Sequence, residues 1–257
     1  MFSKPLTTIE LTLQPKEQTK LTQSAGSLLQ GVLMEIIDPD YAAQLHLENL
    51  RPYSQYLYVD RQEHTLKWRL SSLNQEAAQR LLELAWNLPE TFRLKQKGVT
   101  VEITQRQCCR ETDYDTLANT FLGEGKNYRK LHFAFLTSTT FKTNGTYALY
   151  PELELLFHSL LQHWNHFSDS EVIDAPDAVQ ELVNNLFVGG YDLKLHPFAL
   201  EGTRVQAFRG NYTVVLKNNI ILRRLAALLA DYAQFSGVGI KTALGMGGTQ
   251  VEMELWR

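Results

Sequence analysis

The stretch SGVGIKTALGMGG, Ser236 to Gly248, places five glycines and a lysine within thirteen residues. Backbone this rich in glycine turns through positive φ and brings N–H groups close to an anion, while Lys241 adds a positive charge. That chemistry suits a phosphate; a tight connector into the next element would also use such glycines. A nucleotide-binding phosphate loop is a poor fit, because it needs Gly-Lys-Ser/Thr ahead of a helix and Lys241-Thr242 precedes a strand pattern. The histidines offer a second chemistry. His163 and His166 have a zinc-compatible spacing but no third ligand nearby. With His158 they fall on the helical face opposite Leu153, Leu156, Leu160 and Trp164, so a solvated face is expected. Cys108 and Cys109 are adjacent, which makes neither a disulfide framework nor a metal set. One inward and one outward residue of a strand is expected.

The elements that position these groups follow from periodicity. TTIELTLQP alternates as a strand, and SLLQGVLMEII carries apolar pairs every four residues as an amphipathic helix ended by Asp38-Pro39. YSQYLYVD and HTLKWRLSSL alternate as two strands. SLNQEAAQRLLELAWNL is a second helix, with Asn74 as cap and Ala77, Leu81, Leu84 and Ala85 as its buried stripe, and FRLKQKGVTVEITQRQ supplies further strand. After a polar stretch at residues 111–127 the β-α-β-β-α-β order repeats. YRKLHFAFLTSTTF, PELELLFHSLLQHWNHF, GGYDLKLHPFAL, VQAFRGNYTVVLK, NNIILRRLAALLADYAQF and TQVEMELWR are its members. Two tandem ferredoxin-like domains of the α+β class are expected, 1–125 and 126–257, with the glycine stretch ahead of the last strand. His132 and His196 fall within strand patterns as pairing-face residues. Phe208 and Tyr212 suit core packing, with base stacking as the other use of such rings.

The 257 residues suffice for two such domains, and the 44% apolar and 21% charged shares are those of a globular chain. The longest aliphatic run, LAALLA, is far too short to span a bilayer, and MFSKPLTTIELTLQP has no secretory core. A cytoplasmic protein with no membrane partner is expected. The net charge of −3 argues mildly against nucleic acid, but its distribution is polarised. Arg93 to Arg110 holds five basic residues against Glu102 alone, and Arg204 to Arg224 holds five with no acid. A basic face on an acidic protein, or ordinary solvated strand edges, would both produce these runs.

In its second half the chain resembles the CRISPR-associated repeat-processing endoribonucleases. The resemblance rests on Gly237-Val238-Gly239, five residues including Lys241, then Gly245-Met246-Gly247, standing before a final strand. It extends through LLQGVLMEII, QLHLENLRPYSQY, FAFLTSTTF and LFHSLLQHWN. The resemblance implies cleavage of CRISPR repeat RNA without metal or cofactor, by attack of a 2′-OH on the adjacent phosphate. A 2′,3′-cyclic phosphate and a 5′-OH would result. It implies His46 as the proton-transfer residue and Arg51 as a phosphate contact, with Tyr53 and Ser54 as further donors. It makes Gly237, Gly239, Lys241, Gly245 and Gly247 the RNA-binding loop. Read alone, His46 is a surface histidine in a loop after a helix. Two departures stand out. Met34 occupies the first-helix position where some members carry a tyrosine, and Ser138 or Thr139 replaces a frequent proline. A non-catalytic RNA-binding subunit of a CRISPR effector complex is the competing expectation, other effector subunits are candidate partners, and either a monomer or a homodimer is expected.

Overall fold

The computed structural model describes residues 1–256 apart from 18, 124–125, 169–171, 174–176 and 201. In chain order the first half comprises β1 (Leu6–Pro15), α1 (Gly26–Ile36), α2 (Pro39–Leu47), β2 (Tyr53–Asp60) and β3 (Thr65–Ser72). Next, α3 (Gln75–Ala77) runs through a π turn into α4 (Glu83–Trp86), followed by β4 (Thr91–Leu94) and β5 (Val99–Thr112). The second half comprises α5 (Tyr114–Leu122), β6 (Tyr128–Thr139), the hairpin β7 (Lys142–Thr143) and β8 (Thr146–Tyr147), α6 (Leu153–Phe167) and α7 (Ala178–Asn184). It closes with β9 (Leu186–Leu195), β10 (Phe198–Leu200), β11 (Thr203–Val205), β12 (Phe208–Leu216), α8 (Ile220–Ser236) and β13 (Thr249–Leu255).

The first sheet has the order β2-β3-β1-β5-β4 and the second β13-β6-β12-β9, with every pairing antiparallel. Without edge strand β4, each is the strand order of a split βαβ unit. Period-two alternation explains the first sheet's packing. Ile9, Leu11 and Leu13 point to one face and join Leu29 and Leu33 of α1 and Leu81, Leu82 and Ala85 of the α3–α4 helix. Asn74 caps that helix by accepting from the Ala77 N–H, as its sequence indicates. In the second half Leu131, Phe133, Phe135, Phe208 and Tyr212 pack against α6 and α8, so the last two rings belong to the core.

Three expectations are corrected: what Asp38-Pro39 does after α1, where His46 stands, and how the two cysteines are placed. Asp38-Pro39 ends α1 but also begins α2, because proline is tolerated at a first helical position and the Asp38 carboxylate accepts from the Tyr41 N–H. His46 therefore stands in the last helical turn of α2, not in a loop. The polar stretch at residues 111–127 contains α5, whose Tyr114, Leu117, Ala118 and Phe121 join the second half's core. Residue 125, at the expected division, lies outside the described residues. Cys108 and Cys109 are both exposed, because a β-bulge aligns Thr8 with Arg110 and Ile9 with Cys108, leaving Cys109 as the extra residue. No helix among the described residues is long and apolar enough to cross a membrane.

The halves are joined by buried polar contacts. Gln55 is fully buried; its amide donates to the carbonyls of Gly26 (2.9 Å) and Ala243 (3.0 Å) and accepts from Trp68 Nε1 (2.8 Å). Arg110 makes a two-pronged bond to Asp231 of α8 at 3.0 and 2.6 Å.

Candidate active site

A cleft of about 650 Å³ opens where α2, α6 and the glycine loop meet. His46 and Arg51 line it from the first half, Gly239 and Lys241 from the loop, and His158 and His163 from α6. Chemistry-bearing residues nearly two hundred positions apart thus share one space. On the first wall α2 is anchored by Tyr41 and Leu45, one turn apart, while His46 stays exposed. Arg51 closes the helix end, its guanidinium donating to the carbonyl oxygens of Glu48 and His46. Those are carbonyls that the helix itself leaves unpaired. Arg51 therefore holds the turn that carries His46, and with five N–H donors it keeps capacity for a further acceptor.

The glycine loop is mostly buried, and Lys241 is its exposed residue. The N–H groups of Val238, Ile240 and Gly247 donate to Gly247, Thr140 and Ser138 carbonyls at 2.9–3.0 Å, and Gly248 donates to Thr137 Oγ1. The glycines thus serve packing first. At Gly239, with φ +81°, a Cβ would stand 2.2 Å from the Thr140 carbonyl oxygen. Gly245 sits against Gly26 of α1, where a Cβ on Gly26 would lie 2.8 Å from the Gly245 Cα. Gly237, Gly245 and Gly247 shape the loop without lining the cleft; Gly239 and Lys241 line it. Lys241 itself has φ +58°, an uncommon conformation for a residue with a side chain. Within the described residues the N–H groups of Gly239 and Lys241 donate to no acceptor. Met246 locks the loop from behind, in a small cluster with Phe198, Leu200, Val205 and Ala207.

The α6 face departs from the solvated surface its sequence suggests and forms a wall of the cleft. His163 is buried, not solvated, and burial pushes its imidazole pKa down to about 4; its Nδ1 has no hydrogen-bond partner. His158 is exposed and opens into the cleft, while His166 is exposed elsewhere on the helix. Met34 does line the cleft, so the expected tyrosine position faces the site without a hydroxyl. Tyr53 also lines it but is 1% exposed, is hydrogen-bonded to Gln30, and has its pKa raised by burial. The Ser54 hydroxyl points away and donates to the Phe235 carbonyl. His196 Nδ1 contacts Gln23 Nε2 (2.6 Å) and Ser138 Oγ (3.1 Å), and His132 Nδ1 contacts Thr213 Oγ1 (3.0 Å); neither lines the cleft.

Much of each basic run is engaged internally. Arg106 donates to the Trp86 and Leu88 carbonyls, Arg223 to the Lys217 carbonyl and Asn127, and Arg224 to Leu122 and Gly123. These cations stabilise helix ends and turns, while Arg110 ties β5 to the body of α8 through Asp231.

A family profile described as CRISPR-associated endoribonuclease Cas6 matches residues 133–249. The CRISPR-associated endoribonuclease Cas6 of Mycobacterium tuberculosis is 32% identical over 98% of this chain and 80% of its own length. The chain belongs to the Cas6 family. The Cas6 of Streptococcus thermophilus is 28% identical over 86% of this chain and 89% of its own length. A Thermus thermophilus Cas6 solved as a product complex has the same fold, with a TM-score of 0.77 and 23% identity over 96% of this chain and 100% of that one. Within this Cas6 the two tandem ferredoxin-like sheets position the cleft at their junction.

Proposed function

We propose that this Cas6 cleaves CRISPR repeat RNA without a metal, by attack of a 2′-OH on the adjacent phosphate, leaving a 2′,3′-cyclic phosphate and a 5′-OH. The observation that carries this reading is the convergence of His46, Arg51 and Lys241 on one cleft. The attacking group belongs to the RNA, so no metal-activated water is required. The protein must move protons and stabilise a phosphorane. His46, exposed at the end of α2, moves a proton between the reacting oxygens and its imidazole. Lys241 and the N–H groups of Gly239 and Lys241 hold the non-bridging oxygens, with Arg51 adding charge from the α2 side. Gly237, Gly245 and Gly247 contribute by giving the loop the shape that presents these donors. The first ferredoxin-like unit, through β5, carries the proton-transfer residue; the second carries the loop.

A labelled repeat RNA incubated with excess chelator tests the reading. Cleavage should persist, with a cyclic phosphate on the upstream product and a 5′-OH on the downstream one. Products with 3′-OH and 5′-phosphate ends, formed only with Mg²⁺, would sink the mechanism. Tight binding without cleavage would favour an RNA-holding subunit.

A further inference from the structure

The geometry points to His158 as the second proton-transfer residue of this site, paired across the cleft with His46. The inference rests on the reaction proposed above. Transesterification within RNA requires two proton movements. The 2′-O–H bond breaks as the P–O2′ bond forms, and the leaving O5′ takes up a proton as the P–O5′ bond breaks. In-line displacement puts these two oxygens on opposite sides of phosphorus. One side chain cannot reach both, so the acid and the base must approach from opposite walls.

Candidates are few. Met34 offers no ionisable group, and the Tyr53 hydroxyl is buried and already bonded to Gln30. Ser54 is engaged with Phe235. His163 has one ring nitrogen sealed from solvent without a partner and is held neutral by burial, which leaves it poorly placed to exchange a proton with solvent after each turnover. Arg51, Lys142 and Lys241 are cations suited to phosphate oxygens. His158 differs from all of them. It lines the cleft, is exposed, and has no hydrogen bond or ion pair among the described residues. It stands on α6 of the second half, whereas His46 stands on α2 of the first. An imidazole on each side, one neutral and one protonated, supplies both transfers; afterwards their protonation states are exchanged, and solvent restores them. No third reactant is needed.

The test is single-turnover cleavage at saturating repeat RNA. His158→Ala should slow the reaction by roughly 10²–10⁴-fold, as should His46→Ala. Binding of a 2′-deoxy substrate analogue should stay near wild type in both. His166→Ala, on the same helix but outside the cleft, should cleave normally. A substrate with sulfur in place of O5′ at the cut site leaves as a thiolate and needs no acid. It should restore cleavage to one of the two variants only, the one that lacks the acid. His158→Ala cleaving like wild type overturns the pairing, and so does sulfur rescue of both variants or of neither. A wild type that cuts through His46 yet ignores His158 fails this inference alone; one that cuts no repeat RNA fails the proposed function itself.

Discussion

The two sides of the cleft are built in opposite ways. The α2 side is a nine-residue helix that buries only Tyr41 and Leu45, and its last turn is closed by a single arginine side chain. The loop side is buried backbone, interlocked with Thr140, Ser138 and Gly26 and backed by Met246. In the proposed reaction the lightly held side carries the histidine that moves protons, and the densely packed side sets where the phosphate sits. Transition-state stabilisation requires charge placed in advance, and rigid backbone supplies that better than a flexible side chain. Proton transfer tolerates an imidazole with some freedom.

The sharpest way to break this contrast is to substitute one residue on each side and read rate and stability together. His46→Ala should lower the single-turnover rate by roughly 10²–10⁴-fold, about 3–5 kcal/mol, while changing the unfolding free energy by less than about 0.5 kcal/mol. Gly239→Ala should do the reverse in stability, losing about 3 kcal/mol or more, because a Cβ meets the Thr140 oxygen at a positive φ. Urea unfolding of both variants measures the difference. A stable Gly239→Ala protein would show that the loop is not over-determined.

The α6 wall refines the comparison through pH. Burial holds His163 neutral in the folded chain, with a pKa near 4 against an ordinary value near 6.5. Between those values the unfolded chain binds more protons, so this contribution is present above about pH 6.5 and is lost as pH falls toward 4. From pH 7 to pH 5 the loss is about 2 kcal/mol. Urea midpoints at the two pH values should therefore fall less in His163→Leu than in wild type. Equal falls would remove His163 from the balance.

The smallest effect probes Lys241, the exposed cation of the loop side. Lys241→Ala should lower the slope of log affinity against log salt by about 0.7, one phosphate contact to a single strand. The loss should be similar for related RNA sequences, since phosphate contacts position the ligand more than they read it. Unchanged affinity and slope would leave the loop as a connector.

Local periodicity made much of the fold legible. The alternation of Ile9, Leu11 and Leu13 and the Asn74 cap act over a few residues and appear as expected, whereas in the α3–α4 stripe Ala77, Leu81 and Ala85 are buried, Leu84 is only partly so, and the π turn brings Ala78 and Leu82 inward. The apolar spacing of Tyr114, Leu117, Ala118 and Phe121 in α5 was equally local but lay within a stretch dominated by polar residues. After the apolar pairs of α1, the proline of α2 reads as a stop, although the same ring geometry suits a first turn. The site was less accessible. Nothing in the spacing of His158 and His163 reveals that the face they share meets another half of the molecule, because burial there depends on contacts far apart in sequence. For the same reason the basic runs could not be divided between solvent and helix ends. That division is set by which carbonyls fold next to them.

The seating of Gly245 against Gly26, with Gln55 bridging to Gly26 and Ala243, carries a consequence for biosynthesis. A ribosome adding about 5–20 residues per second delivers the histidine of α2 many seconds before the glycine loop. Until that loop emerges and docks, the nascent chain has the residue proposed to move protons but lacks one wall of the cleft. On the proposed reaction, catalytic competence waits for that docking, as a single event, and cannot accrue gradually along the growing chain.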